Sequence, residues 1–155
     1  MAPRPRRLNG ILRAGLVAVL AAGCGGGGPR PLALGLDVCD HCHMTLADAR
    51  FAGELVSAKG LVRTFDDVGC LAAAVGAADP AQIGSLWLAD FLDPDSLVAV
   101  ERMTFIRTDS VRTPMSYGIV ATRSGPAADS LLTALGGTRL VWADVVALAS
   151  RADVP

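Results

Sequence analysis

With 155 residues, 52% of them apolar, the chain is long enough for one compact domain with its own core and too short for two full ones. Its 14 basic and 15 acidic residues nearly balance, but four of the basic ones fall in the first 13 positions. Residues 24–155 therefore carry ten basic against fifteen acidic side chains, a net charge of −5, which argues against a nucleic-acid binder because phosphates demand clustered Lys and Arg.

Arg4, Arg6, Arg7 and Arg13 make a basic start, and the apolar run from Ala14 to Ala22 follows. That run is far shorter than the roughly 20 residues a spanning helix requires, and it suits a secretory signal over residues 1–23. No later stretch is apolar and long enough to span a bilayer. The run ends in Leu20-Ala21-Ala22-Gly23-Cys24, which resembles the lipobox of bacterial lipoproteins and implies acylation of Cys24. Residues 24–36, with four consecutive glycines and then Pro29 and Pro31, are expected to be a flexible tether, and residues 37–155 the folded domain. The chain is thus expected in the bacterial cell envelope, lipid-anchored and facing the periplasm. An acylated Cys24 leaves Cys39, Cys42 and Cys70, an odd number that cannot all pair. At least one of these thiols is free, bound to a metal or joined to another molecule.

The segment Cys39-Asp40-His41-Cys42-His43-Met44 opens the domain with two thiols, two imidazoles and a thioether. A C-x-x-C pair brings two sulfurs close enough to share one ion, and thiolate with thioether favours Cu(I). In an extended chain Cys42 and Met44 face one side and His43 the other. Next, Phe51 to Ala58 and Leu61 to Phe65 predict two strands around a Lys59-Gly60 turn. Asp66 is a plausible N-cap for a helix whose stripe is Val68, Leu71, Ala72 and Val75. Cys70 falls in its first turn, where a thiol pKa can be lowered, and it reads also as a buried apolar residue. Ser85 to Phe91 predicts a buried strand, and Pro94 with its flanking aspartates a loop.

In the second half, Leu97 to Val100 and Met103 to Arg107 predict strands. A rigid loop around Pro114 then presents Met115, and Gly118 to Thr122 predicts another strand. A helix is expected from Pro126, with Ala128, Leu131, Leu132 and Leu135 as its stripe and Gly136-Gly137 as its stop. Thr138 to Trp142 predicts a strand and Ala143 to Ala149 a terminal helix. Strand, strand, helix, strand recurs, so the expected fold is α+β with two related units, roughly 37–95 and 96–155.

Four features together resemble the NosL family of copper-binding lipoproteins, which are associated with the maturation of nitrous oxide reductase. They are the lipobox ending at Cys24, the segment from Cys39 to Met44, Thr64-Phe65-Asp66-Asp67 before a helix, and Thr113-Pro114-Met115 late in the chain. The resemblance implies two related ββαβ units forming one compact domain after the signal peptide and the Gly/Pro-rich tether. It also implies Cu(I) held by Cys42 as thiolate, with Met44 and Met115 as thioether donors and Cys39 as a possible second thiolate. Ser116-Tyr117-Gly118 follows Met115, where the family often has glycine directly.

The function implied is a metallochaperone, not an enzyme, delivering Cu(I) to a copper enzyme acceptor, with apo nitrous oxide reductase first among acceptors and a homodimer sharing one ion as an open arrangement. His41 and His43 stay open between ligand, supporting group and surface imidazole. Three rivals remain. A structural zinc site would use Cys39, Cys42, Cys70 and one histidine, and would make Cys70 indispensable. A thiol-disulfide oxidoreductase would use Cys39 and Cys42 as a redox pair. A lipoprotein that stabilises an assembly by contact alone would need no metal. No P-loop, G-x-S-x-G or H-E-x-x-H pattern supports a common enzyme class.

Overall fold

Each half of the chain wraps a sheet around its own first strand. The computed structural model describes residues 28–151, together with Met1. The expected signal peptide and the acylation site Cys24 lie outside the described residues, as does the start of the expected tether. In the first half, β1 (Gly53–Ser57) pairs antiparallel with β2 (Val62–Phe65) on one side and with β3 (Ile83–Asp90) on the other, and β4 (Asp93–Ala99) adds to β3, giving the order β2-β1-β3-β4. The helix α1 (Val68–Ala77) connects β2 to β3. In the second half, β5 (Met103–Arg107) lies between β6 (Ile119–Arg123) and β7 (Thr138–Leu140), with α2 (Pro126–Leu135) as the connection and α3 (Trp142–Ala149) at the end. The order 2-1-3 of the first three strands is thus repeated as 6-5-7, so two ββαβ units exist as the hydrophobic rhythm implied.

Local chemistry accounts for most boundaries. Gly60 takes a φ of +82° at the β1–β2 turn, a conformation glycine adopts without steric cost. Pro126 occupies the first turn of α2, where its missing N–H is not needed, and Gly136 ends the helix at a φ of +68°. Three expectations are corrected. Pro94 belongs to β4 rather than to a loop; it stands near the start of an edge strand, where a missing N–H is tolerated. The segment from Leu97, expected to open the second unit, belongs to the first sheet, so position 95/96 falls inside a strand. The strand expected to reach Trp142 stops at Leu140, and Trp142 begins α3.

One core spans both units. Leu55, Phe65, Leu71 and Leu88 from the first meet Met103, Phe105, Ile119 and Val145 from the second. Each such side chain, when fully buried, contributes about 1.5–3 kcal/mol. Alternation along β5 and β6 sends Ile106 and Val120 to the opposite face, where Leu131 of α2 and Phe51 cover them. The units are also joined by polar contacts. Asp90 at the end of β3 accepts the Thr122 hydroxyl of β6 at 2.6 Å, and the Phe91 N–H donates to the Ala121 carbonyl at 2.9 Å. α1 packs against α3 as well as against its own sheet. No helix among the described residues is long and apolar enough to cross a membrane.

Part of the stretch expected as tether is attached to the domain. The Arg30 guanidinium forks onto the Asp37 carboxylate at 2.7 and 2.9 Å, the Arg30 N–H donates to Glu54 at 2.9 Å, and the Ala33 N–H donates to Asp37 at 2.7 Å. From Gly35 the chain forms a short ribbon with residues 44–46, closed by the Val38/Thr45 bridge.

Candidate metal centre

The ribbon leads into a tight turn rather than an extended segment. The Cys39 N–H donates to the Met44 carbonyl at 2.8 Å, the His43 N–H donates to the Cys39 carbonyl at 2.9 Å, and His43 takes a left-handed φ of +62°. The alternation expected for Cys42, His43 and Met44 therefore does not hold, because backbone hydrogen bonds curl the loop. β2 fixes this loop: the Asp40 N–H donates to the Thr64 carbonyl at 2.9 Å, the Thr64 hydroxyl donates to the Val38 carbonyl at 3.0 Å, and Arg63 pairs with Asp40.

Directly after β2 come Asp66 and Asp67, and the helix cap expected of Asp66 falls to its neighbour. Asp67, not Asp66, is the N-cap of α1, accepting the Gly69 N–H at 2.8 Å. Its other oxygen accepts the Met115 N–H at 2.9 Å. Burial raises the Asp67 carboxyl above the usual range against the pull of these donors. Asp66 instead turns to the thiols and accepts the Cys42 S–H at 3.3 Å.

The result is a group of four donors, Cys39, Cys42, Asp66 and Cys70, whose ligand atoms all lie within 4.8 Å of one another. Cys39, Asp66 and Cys70 are buried, and Cys42 is half-buried at the edge. All three thiols are free. Cys39 is the readily ionised member. A hydrogen bond from the Cys70 thiol pulls its pKa well below that of an ordinary thiol, burial opposes this, and the N–H groups of Cys42 and Asp66 assist. Cys70 moves upward because its proton is held by Cys39 and because it is buried; its place at a helix start does not lower it. Cys42 moves upward as well, chiefly through burial.

Of the sequence candidates, Cys39 and Cys42 are brought together. Met44 lies on the same loop, 52% exposed. Met115 is half-buried against the main core, as Cys42 is, and Asp67 ties its backbone to the start of α1. His41 and His43 are exposed and stand outside the group of four. Two members, Asp66 and Cys70, were read in the sequence first as a helix cap and as an apolar cysteine. Asp66 stands one residue before the N-cap and Cys70 in the first turn of α1, so no helical spacing links the two and no periodic signal in the sequence pairs them.

The group concentrates soft sulfur donors with one carboxylate, a set able to hold a thiophilic ion. The fold that builds it is similar to the solved structure of the copper chaperone NosL from Shewanella denitrificans, with a TM-score of 0.57 and 19% identity, covering 72% of this chain and 93% of that one. No family model matches the sequence, and no curated protein matches it. The domain is therefore a NosL-like α+β fold carrying a three-thiol, one-carboxylate candidate metal centre.

Proposed function

We propose that this chain is a metallochaperone, not an enzyme, that holds Cu(I) at the cell envelope and passes it to a copper enzyme, with apo nitrous oxide reductase the first acceptor to test. The convergence of Cys39, Cys42 and Cys70 on one point is the observation that carries this reading. A carrier has to hold the ion and still let an acceptor thiol or imidazole displace its ligands one at a time. Cys42, half-buried at the edge and followed by the exposed Met44, supports such an opening. Met115, anchored through Asp67, is the proposed thioether donor from the second unit. Acylation of Cys24 would keep the domain on the membrane, facing the periplasm, and two chains sharing an ion is a proposed arrangement for the resting state.

One observation favours a second reading. Cys39, Cys42 and Cys70 with Asp66 supply four donors, the number that closes a tetrahedron around Zn(II). Anaerobic titration of the reduced protein with Cu(I) against a competing chelator, with Zn(II) in parallel, separates the two. Tight Cu(I) binding that is lost in Cys42→Ser and weakened in Met115→Leu supports the carrier. Tighter Zn(II) binding that depends on Cys70 and Asp66 and ignores Met115 replaces it with a resident zinc site.

A further inference from the structure

Tyr117 follows Met115 by two residues, on the loop that Asp67 ties to the start of α1. Its ring lies flat against Gly69, the residue before Cys70. A Cβ at Gly69 would fall 2.1–2.5 Å from three ring carbons, so the close approach of ring and helix exists only because this position is glycine. The loop reaches this position through a left-handed Ser116, at a φ of +60°, and Gly118, at +64°. Two uncommon backbone conformations on either side of one residue fix where its ring lies.

The phenol end is buried, and the hydroxyl has no hydrogen-bond partner among the described residues. A buried donor left unpaired is costly, so such a group calls for a partner that another state supplies. Burial first, and then the neighbouring charges of Cys70, Asp67, Cys42 and Cys39, push the Tyr117 pKa up to about 12. The phenol is thus a buried, unpaired donor on a ring that packs against the helix turn carrying Cys70. In the metal-free group the Cys39 sulfur and the Asp66 carboxylate are already engaged by the Cys70 and Cys42 S–H groups. With its thiols ionised and bound to metal, it offers sulfur lone pairs that take hydrogen bonds.

We propose that Tyr117 is a positioning residue for the metal centre, its buried hydroxyl donating a hydrogen bond to a metal-bound thiolate of the Cys39, Cys42 and Cys70 group. This rests on the metal-binding function proposed above. A hydrogen bond to a ligand atom orients it and tunes its basicity, and loss of such a partner characteristically costs 10–100-fold in metal affinity.

The test compares the reduced wild-type protein with Tyr117→Phe, which keeps the ring on Gly69 and removes only the hydroxyl. Tyr117→Leu serves as a packing control. Each is titrated anaerobically with Cu(I) against a competing chelator, the ultraviolet sulfur-to-metal absorption is recorded after Cd(II) loading, and the melting temperature is measured with and without metal. The proposal predicts that Tyr117→Phe has an apo melting temperature equal to or above wild type, binds Cu(I) about tenfold or more weakly, and shifts the sulfur-to-Cd(II) band. Wild-type affinity and an unchanged band in Tyr117→Phe overturn the proposal alone. A lower apo melting temperature with unchanged metal affinity assigns the hydroxyl to folding and also overturns it. Failure of the wild type to bind either metal overturns it together with the function on which it rests.

Discussion

Asp67 ties the start of α1 in the first unit to the Met115 loop of the second, and its removal has a calculable cost. It is fully buried, caps α1 through the Gly69 N–H at 2.8 Å and holds the Met115 N–H at 2.9 Å with its second oxygen. Asp67→Asn keeps one carbonyl oxygen but sets an amide N–H₂ against one of those two backbone donors. An orphaned buried donor costs about 1–3 kcal/mol, so the variant is expected to lose about that much stability. Asp67→Ala loses the cap too, typically about 1 kcal/mol, for a total of about 2–4 kcal/mol when the two are taken together. Part of this is offset by relief of the burial that already raises the carboxyl's pKa. Denaturant unfolding should show a lower midpoint with an unchanged slope, and hydrogen exchange at the Met115 amide should accelerate beyond what global destabilisation explains. A loss under about 0.5 kcal/mol in Asp67→Ala, the range of an ordinary surface change, would refute the reasoning. So would a large loss that leaves the Met115 amide as protected as the rest of the core.

Gly69→Ala forces a Cβ into the Tyr117 ring and should destabilise by about 1–3 kcal/mol; adding Tyr117→Leu should recover part of this in a double-mutant cycle. Two acids near the N-terminal segment should give opposite pH limbs in melting temperature. Burial raises the Glu54 carboxyl, so its contribution is fully present below the unfolded glutamate pKa and is lost as pH rises through the native value; Glu54→Gln should remove that decline. Arg30, by its hydrogen bond, holds Asp37 low, so its contribution is present above the unfolded aspartate pKa and is lost as pH falls through the native value; Asp37→Asn should flatten that acid limb. Cys70→Ala removes the donor that lowers Cys39, so thiolate absorbance in the metal-free protein should need a higher pH to appear; an unmoved titration would count against the Cys70–Cys39 hydrogen bond.

Periodicity reached the elements and stopped short of the site. The stripe of Val68, Leu71 and Ala72 and the run from Met103 to Arg107 were readable because burial on one face imposes a period of 3.6 or 2 on the sequence. β4 was missed as a unit because Pro94 and its aspartates carry a turn composition, while an edge strand tolerates them. The thiol group was half readable. C-x-x-C places Cys39 near Cys42 by local geometry alone, but Cys70 arrives through pairing of the ribbon with β2, a contact no local pattern reports. Asp66 and Asp67 are chemically identical neighbours, and only the direction of the chain entering α1 decides which one caps the helix and which one faces sulfur.

The protonation pattern of the thiols bears on how such a centre would load and unload. In the metal-free protein Cys39 is the thiol most easily ionised and is buried, whereas Cys42, which reaches the edge, is held in its protonated form by burial. The accessible sulfur is thus a poor nucleophile toward passing oxidants, and the reactive sulfur is out of reach. A metal that recruits Cys42 or Cys70 has to displace its proton, so affinity should rise about tenfold per pH unit for each proton released. Asp66 already accepts the Cys42 S–H at 3.3 Å and is the nearest described carboxylate on that proton's path. Under the proposed function, transfer to an acceptor would run the same steps backward, with Cys42 reprotonated as its metal bond is lost. A centre with one ionised and two protonated thiols therefore binds less tightly at neutral pH than three preformed thiolates would, and a carrier that must give up its ion needs that weaker hold.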